Sequence, residues 1–127
     1  KKSPPSLEQA RASMEKAKIM LVEARADMLD GRFNSTVMMA YAAILNASRA
    51  ILFRDGFRER SHACVVRYLE SNYKNKIPKD SIRLLDHFRE TRHEVQYEAS
   101  YLADAESASQ IMEFAEKFIV HMDGILS

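Results

Sequence analysis

Four side chains in the stretch Arg89 to Glu98 have the types that bind anions: Arg89, Arg92, His93 and Tyr97. Arg89, His93 and Tyr97 recur at i, i+4 and i+8, which on a helix aligns a cation, an imidazole and a phenol along one side. Such a row can hold a phosphate or a nucleobase, although a solvated polar stripe has the same spacing. Arg92 falls elsewhere, in the middle of the arc formed by Ile82, Leu85, Phe88 and Val95 when residues are set about 100° apart. A guanidinium stays charged at any relevant pH, so an apolar surround demands a carboxylate, a carbonyl or an anionic ligand for its donors. The expectation is a largely buried Arg92, either paired to an acidic side chain or open to a cleft; snorkelling to solvent is the third option.

Other chemistries find less to work with. His62, His87, His93 and His121 fall on three different predicted helices, and Cys64 is the only cysteine. Neither H-E-x-x-H nor C-x-x-C occurs, so no metal and no cofactor is expected. No glycine-rich phosphate loop and no G-x-S-x-G is present, which leaves P-loop and hydrolase chemistry without support. The net charge is only +1, too balanced for a protein that grips a long nucleic-acid backbone through many phosphate contacts. The charge is unevenly placed: from Arg67 to Arg92 there are seven basic and four acidic residues, but from Glu94 to Glu116 six acidic residues and no Lys or Arg. A modest basic face and an acidic face follow.

The elements that must position these residues are helical. The chain of 127 residues is 46% hydrophobic with 3 Gly and 3 Pro, and shows no strand-like alternation, which predicts a single all-α domain. Its centre is Ser35 to Phe53, where Arg49 is the only charge and Asn46 the only amide. A helix apolar on most sides is packed by neighbours on several of them. No membrane span is expected, because the run is slightly short and carries Asn46, Ser48 and Arg49.

A first helix is predicted after Ser6 and Gln9, which fit a capping box, with Leu7, Ala10, Met14, Ala17, Leu21, Ala24 and Met28 as its seam and Gly31 as its stop. The short turn at Gly31 to Asn34 implies an antiparallel return, capped by Asn34 or Ser35. Asp55-Gly56 ends the central helix. A third helix follows Ser61 from about His62 to Tyr73, with Ala63, Val66, Leu69 and Tyr73 inward. A fourth starts at Asp80 or Ser81 and runs to about Ser100, and a last one follows Asp104. The fold expected is an up-and-down bundle of about five helices, with the seven methionines mainly filling its core. The lone cysteine and the lack of a leader-like segment lead to the expectation of a cytoplasmic protein.

Three stretches together resemble the HEPN domain family over most of residues 1–127. NSTVMMAYAAILNASRAILFRDGF is similar to the family's Tyr- and Ala-rich second helix and its Gly-containing turn. RSHACVVRYLES resembles its Ser/Thr-His loop and third helix, and LLDHFRETRHEVQYEASYLADAESASQIMEFAEKFI its R-polar-x-x-x-Y segment with an acidic last helix. The resemblance implies an up-and-down bundle, a homodimer, and work alongside a separately encoded minimal nucleotidyltransferase in a toxin–antitoxin-like pair. Other members are metal-independent ribonuclease toxins that use an R-x(4 to 6)-H motif. Carried over, the motif arginine falls on Arg92 and the polar residue after it on His93, but the histidine position holds Tyr97. Arg89 to His93 and Arg83 to His87 read R-x3-H, one residue short. A phenol of pKa about 10 is a poor general base near neutrality, whereas imidazole titrates near 6.5. The expectation is therefore a binding subunit for nucleotide or partner, leaning away from an enzyme, with Arg92, His93, Tyr97 and Arg89 as its site. A ribonuclease in which His93 serves as base, acting on RNA, and a purely structural helical dimer are the alternatives.

Overall fold

The computed structural model describes residues 2–127. Five helices form one bundle: α1 (Leu7–Leu29), α2 (Phe33–Asp55), α3 (His62–Asn72), α4 (Lys79–Tyr97) and α5 (Ala105–Leu126). The central stretch is the hub, since α2 packs against each of the other four. Val37, Ala40, Ala43, Ile44, Ala47, Ala50, Ile51 and Leu52 are all buried, and the alanines among them let the neighbouring helices approach closely. By length and composition α2 could cross a bilayer, but most of its apolar window is buried inside the bundle.

Local chemistry sets most helix ends. Ser6 Oγ accepts from the Gln9 amide at 3.1 Å, Ser61 Oγ from the Cys64 amide and Asp104 Oδ1 from the Ser107 amide at 2.8 Å, each satisfying a donor the helix leaves free. Gly56 closes α2 in the left-handed region, φ +86°. The N-terminal segment lies against that end: Ser3 N–H donates to Gly56 O at 2.8 Å and Ser6 N–H to Phe53 O at 2.9 Å.

Several boundaries differ from the sequence expectation. No side chain caps α2, which starts at Phe33; Asn34 Oδ1 instead accepts from the Ala103 amide at 2.8 Å and ties the α4–α5 loop to the start of α2. Helix α4 begins after Pro78 and stops at Tyr97, short of Ser100. In the α1 seam, Leu7 is exposed and Leu21 and Met28 are half-buried. Val65 joins Val66 and Leu69 in the core, whereas Ala63 and Tyr73 stay half-buried.

Tyr73 is drawn instead into a polar knot. Asp55 Oδ2 accepts from the Tyr68 hydroxyl at 2.9 Å and from the Tyr73 hydroxyl, while Arg54 donates to Tyr73 Oη at 2.9 Å and to Ile125 O at 2.6 Å. This knot fastens the end of α2 to α3 and to the last turn of α5. Burial, then the Asp55 hydrogen bond, pushes the Tyr68 and Tyr73 phenols above their usual range.

Candidate functional site

Helix α4 lies beside the start of α3, and between them is an open groove of about 640 Å³. Ser61, His62 and Ala63 line one wall; Arg89, Arg92 and His93 are on the other. The groove sits where it does because α4 presents Ile82, Leu85, Phe88 and Thr91 to the core, which turns the polar side of its second half toward the first turn of α3.

Arg92 is half-buried, less enclosed than its position in the apolar arc suggests. The buried contacts end at Thr91, whose hydroxyl donates to His87 O at 3.1 Å, and Arg92 emerges into the groove. Its guanidinium carbon lies 5.9 Å from the centre of the Tyr41 ring. Among the described residues no carboxylate forms an ion pair with it, so the expected acidic partner is missing and an aromatic face stands in its place.

Arg89 also lines the groove. Its Nη2 reaches Asp86 at 3.3 Å, an acid it shares with Arg67. Its Nε is buried without a hydrogen-bond partner, an unusual state for a charged donor. His93 is exposed on the rim, its ring 4.7 Å from that of Tyr97. Tyr97, 61% exposed at the end of α4, does not line the groove. Three of the four expected residues are thus brought together, and the fourth touches the group only through His93.

Three further residues escaped sequence reasoning. Tyr41 on α2 is 3% exposed, its ring 5.6 Å from that of His62, and its hydroxyl has no hydrogen-bond partner among the described residues. Burial pushes its pKa up to about 12, against the pull of Arg89, Arg92 and Arg49. His62 is held below the usual imidazole range, first by burial and then by Arg92, Arg49 and Arg89. Arg49, two turns beyond Tyr41 on α2, donates to Arg60 O at 3.3 Å just ahead of α3. The signal for Arg49 was present, since it is the only charge in an otherwise apolar helix. For His62 there was none beyond its place after a helix cap.

The arrangement concentrates positive charge on a partly enclosed wall, beside the first turn of α3, where backbone amides lack intrahelical acceptors. It is suited to an anion. Among the described residues no group of three or more His, Cys, Asp or Glu side chains is placed to hold a metal ion.

A family model described as "HEPN domain" matches residues 10–124. The fold is similar to that in the crystal structure of TT1696 from Thermus thermophilus, with a TM-score of 0.78 and 16% identity over 91% of this chain and 97% of that one. No curated protein matches the sequence.

Proposed function

This chain belongs to the HEPN domain family, and on that premise we propose that it is a non-catalytic binding subunit that acts with a separately encoded minimal nucleotidyltransferase in a toxin–antitoxin-like pair, holding a nucleotide in the α3–α4 groove. The observation that carries this reading is the free Arg92 guanidinium in the groove, beside Arg89 and His93 and without a carboxylate partner. A guanidinium so placed grips phosphate through a planar fork that a lysine cannot copy. The test is a nucleotide titration and a pull-down of the co-expressed nucleotidyltransferase with the parent, Arg92→Lys and Arg92→Ala proteins. The reading predicts weaker binding for both variants; unchanged nucleotide and partner binding in Arg92→Ala overturns it.

A second reading, a metal-independent ribonuclease, draws support from His62. Tyr97 is a poor general base, but an imidazole kept neutral beside Arg92 can accept a proton near neutrality. RNA cleavage by the parent that disappears in both Arg92→Ala and His62→Gln would promote it.

The proposed homodimer draws support from the outer side of α1, since α2 and most of the inner side of α1 are covered inside the bundle. On the outer side of α1, Ile19, Val22 and Leu29 are 53%, 60% and 83% exposed and, with Ala26, repeat at 3-4-3 spacing. Lys18 and Arg25 flank one side of this row, Glu23 and Asp30 the other. A parallel copy of α1 sets Lys18 toward Glu23 and Arg25 toward Asp30 across a two-fold axis, the flanking pattern of parallel helix pairs, in exchange for the exposed pairs that Lys18 and Arg25 make with Asp123 and Glu116 on α5 and Asp30 makes with Arg32.

A further inference from the structure

One buried donor under the groove, the Arg89 Nε–H, has no acceptor among the described residues, and the hydroxyl of Tyr41, a side chain 3% exposed, makes no hydrogen bond to them either. Buried polar groups are nearly always satisfied, and each exception calls for an explanation such as an ion or ligand. Both belong to side chains that meet at one place: Arg92 covers the Tyr41 ring, His62 packs against it, and Arg89 lines the same wall. What is missing there is an acceptor, and the surrounding charge says of which kind.

Arg49, Arg89 and Arg92 bear on Tyr41 and His62, and Asp86 is the one acid bearing on Tyr41. Three guanidinium groups against one carboxylate, itself also paired to Arg67, leave the field positive. Glu90, Glu94, His87 and His93 also face the groove, but all four are exposed, where solvent screens them. The first turn of α3 adds the amides of His62 and Ala63, for which the helix has no acceptor.

We propose that the floor of this groove is a site for a terminal phosphate, a phosphomonoester dianion, which binds together with one proton taken up by His62. This rests on the nucleotide reading of the same groove and narrows it to nucleotides that end in a monoester. A monoester has its second pKa at about 6, so it is a dianion near neutrality and is held more strongly in that positive field than a phosphodiester, a monoanion. The proton follows from the same electrostatics. With the groove empty, burial and the three arginines keep His62 neutral. A dianion among those arginines offsets their field and gives the imidazolium an acceptor, and the imidazolium then offers two donors in place of one. Binding is therefore linked to proton uptake and weakens as pH rises.

The experiment is calorimetric titration of the full chain with inorganic phosphate, adenosine monophosphate and dimethyl phosphate near pH 7, in two buffers of different ionisation enthalpy. NMR of the histidine ring protons, assigned with His62→Gln, accompanies it. Phosphate and the monophosphate should bind with net proton uptake, raise the His62 pKa by about one unit or more, and exceed dimethyl phosphate in affinity by about tenfold or more. Tyr41→Phe should keep the melting temperature of the parent and lose phosphate affinity. The deficit of His62→Gln should shrink as pH rises, since a neutral imidazole gives little advantage over an amide. Phosphate saturation without movement of the His62 resonances overturns the proposal, as does a diester bound equally well. If adenosine monophosphate binds in an Arg92-dependent way while His62 stays neutral, this inference fails and the nucleotide reading stands. If no phosphate compound binds and the nucleotidyltransferase is still captured through Arg92, the inference fails and only the partner reading survives.

Discussion

The Arg92 guanidinium carbon stands 5.9 Å from the centre of the Tyr41 ring, joining α4 to α2 at the floor of the groove. The ring face attracts the cation without neutralising it, so Arg92 stays available to an anion in a way that a carboxylate-paired arginine is not. The fold should therefore depend on Arg92 only modestly. Arg92→Ala is expected to lower stability by about 1 kcal/mol, the scale of a partly exposed cation–π contact, as read by urea denaturation. A loss of several kcal/mol would instead mean a buried ionic partner.

His62 links stability to pH. Its folded-state pKa lies below the unfolded value near 6.5. Between the two, the unfolded chain holds more protons than the folded one, so stability falls as pH drops below about 6.5 and is recovered above it. Melting curves from pH 7.5 down to 5.5 should show this fall, and His62→Gln should flatten it. A parent curve that rises on acidification contradicts the assignment.

The Asp55 knot is structural. Asp55→Ala removes the acceptor of the Tyr68 and Tyr73 hydroxyls and a partner of Arg54. The expected loss is about 2–3 kcal/mol, since hydrogen bonds to a charged group are involved and the donors are left half-buried. Chemical denaturation measures it, and nucleotide affinity in the distant groove should not change.

Two glycines adopt positive φ, with different surroundings. At Gly31, φ +73°, an added Cβ meets nothing, whereas at Gly56, φ +86°, it comes within 2.8 Å of the Ser3 carbonyl oxygen. Gly31→Ala should cost about 1–2 kcal/mol from backbone strain alone. Gly56→Ala should cost more, because the N-terminal segment that donates to Gly56 O must move. Comparing the two melting temperatures tests the difference.

For assembly, light scattering at micromolar concentration should report a dimer of the 14.6 kDa chain. Val22→Glu should shift it to monomer without unfolding it, because Val22 is exposed on the single chain. Lys18→Glu should weaken the dimer and the added change Glu23→Lys should restore it. A monomeric parent, or a dimer indifferent to Val22→Glu, refutes the α1 interface.

The helices are legible in the chain alone, because their signals are local. Ser6, Ser61 and Asp104 cap, Gly31 and Gly56 stop, and the apolar spacing in α5 picks out Ala108, Ile111, Met112, Ala115, Phe118 or Ile119, and Met122, all buried, with Ile125 half-buried at the end. The apolar run of α2 likewise made it the hub. Legibility failed where a side chain's fate depends on distant chain. Asn34 has the local signature of a cap, but its side chain is claimed by the Ala103 amide, 69 residues away. Tyr73 has the spacing of a core residue, but its hydroxyl is turned toward Asp55. For the candidate site, spacing on α4 placed Arg89, Arg92 and His93 on neighbouring faces of one helix, and the periodicity of that helix is all such a reading can use. It could not show that α4 ends at Tyr97, nor that the buried face gives out at Thr91. Tyr41, Arg49 and His62 join Arg89 and Arg92 only because packing α3 and α4 on α2 closes gaps of up to about fifty residues. Burial and field at a point are sums over everything nearby, and that neighbourhood exists only once the helices have packed.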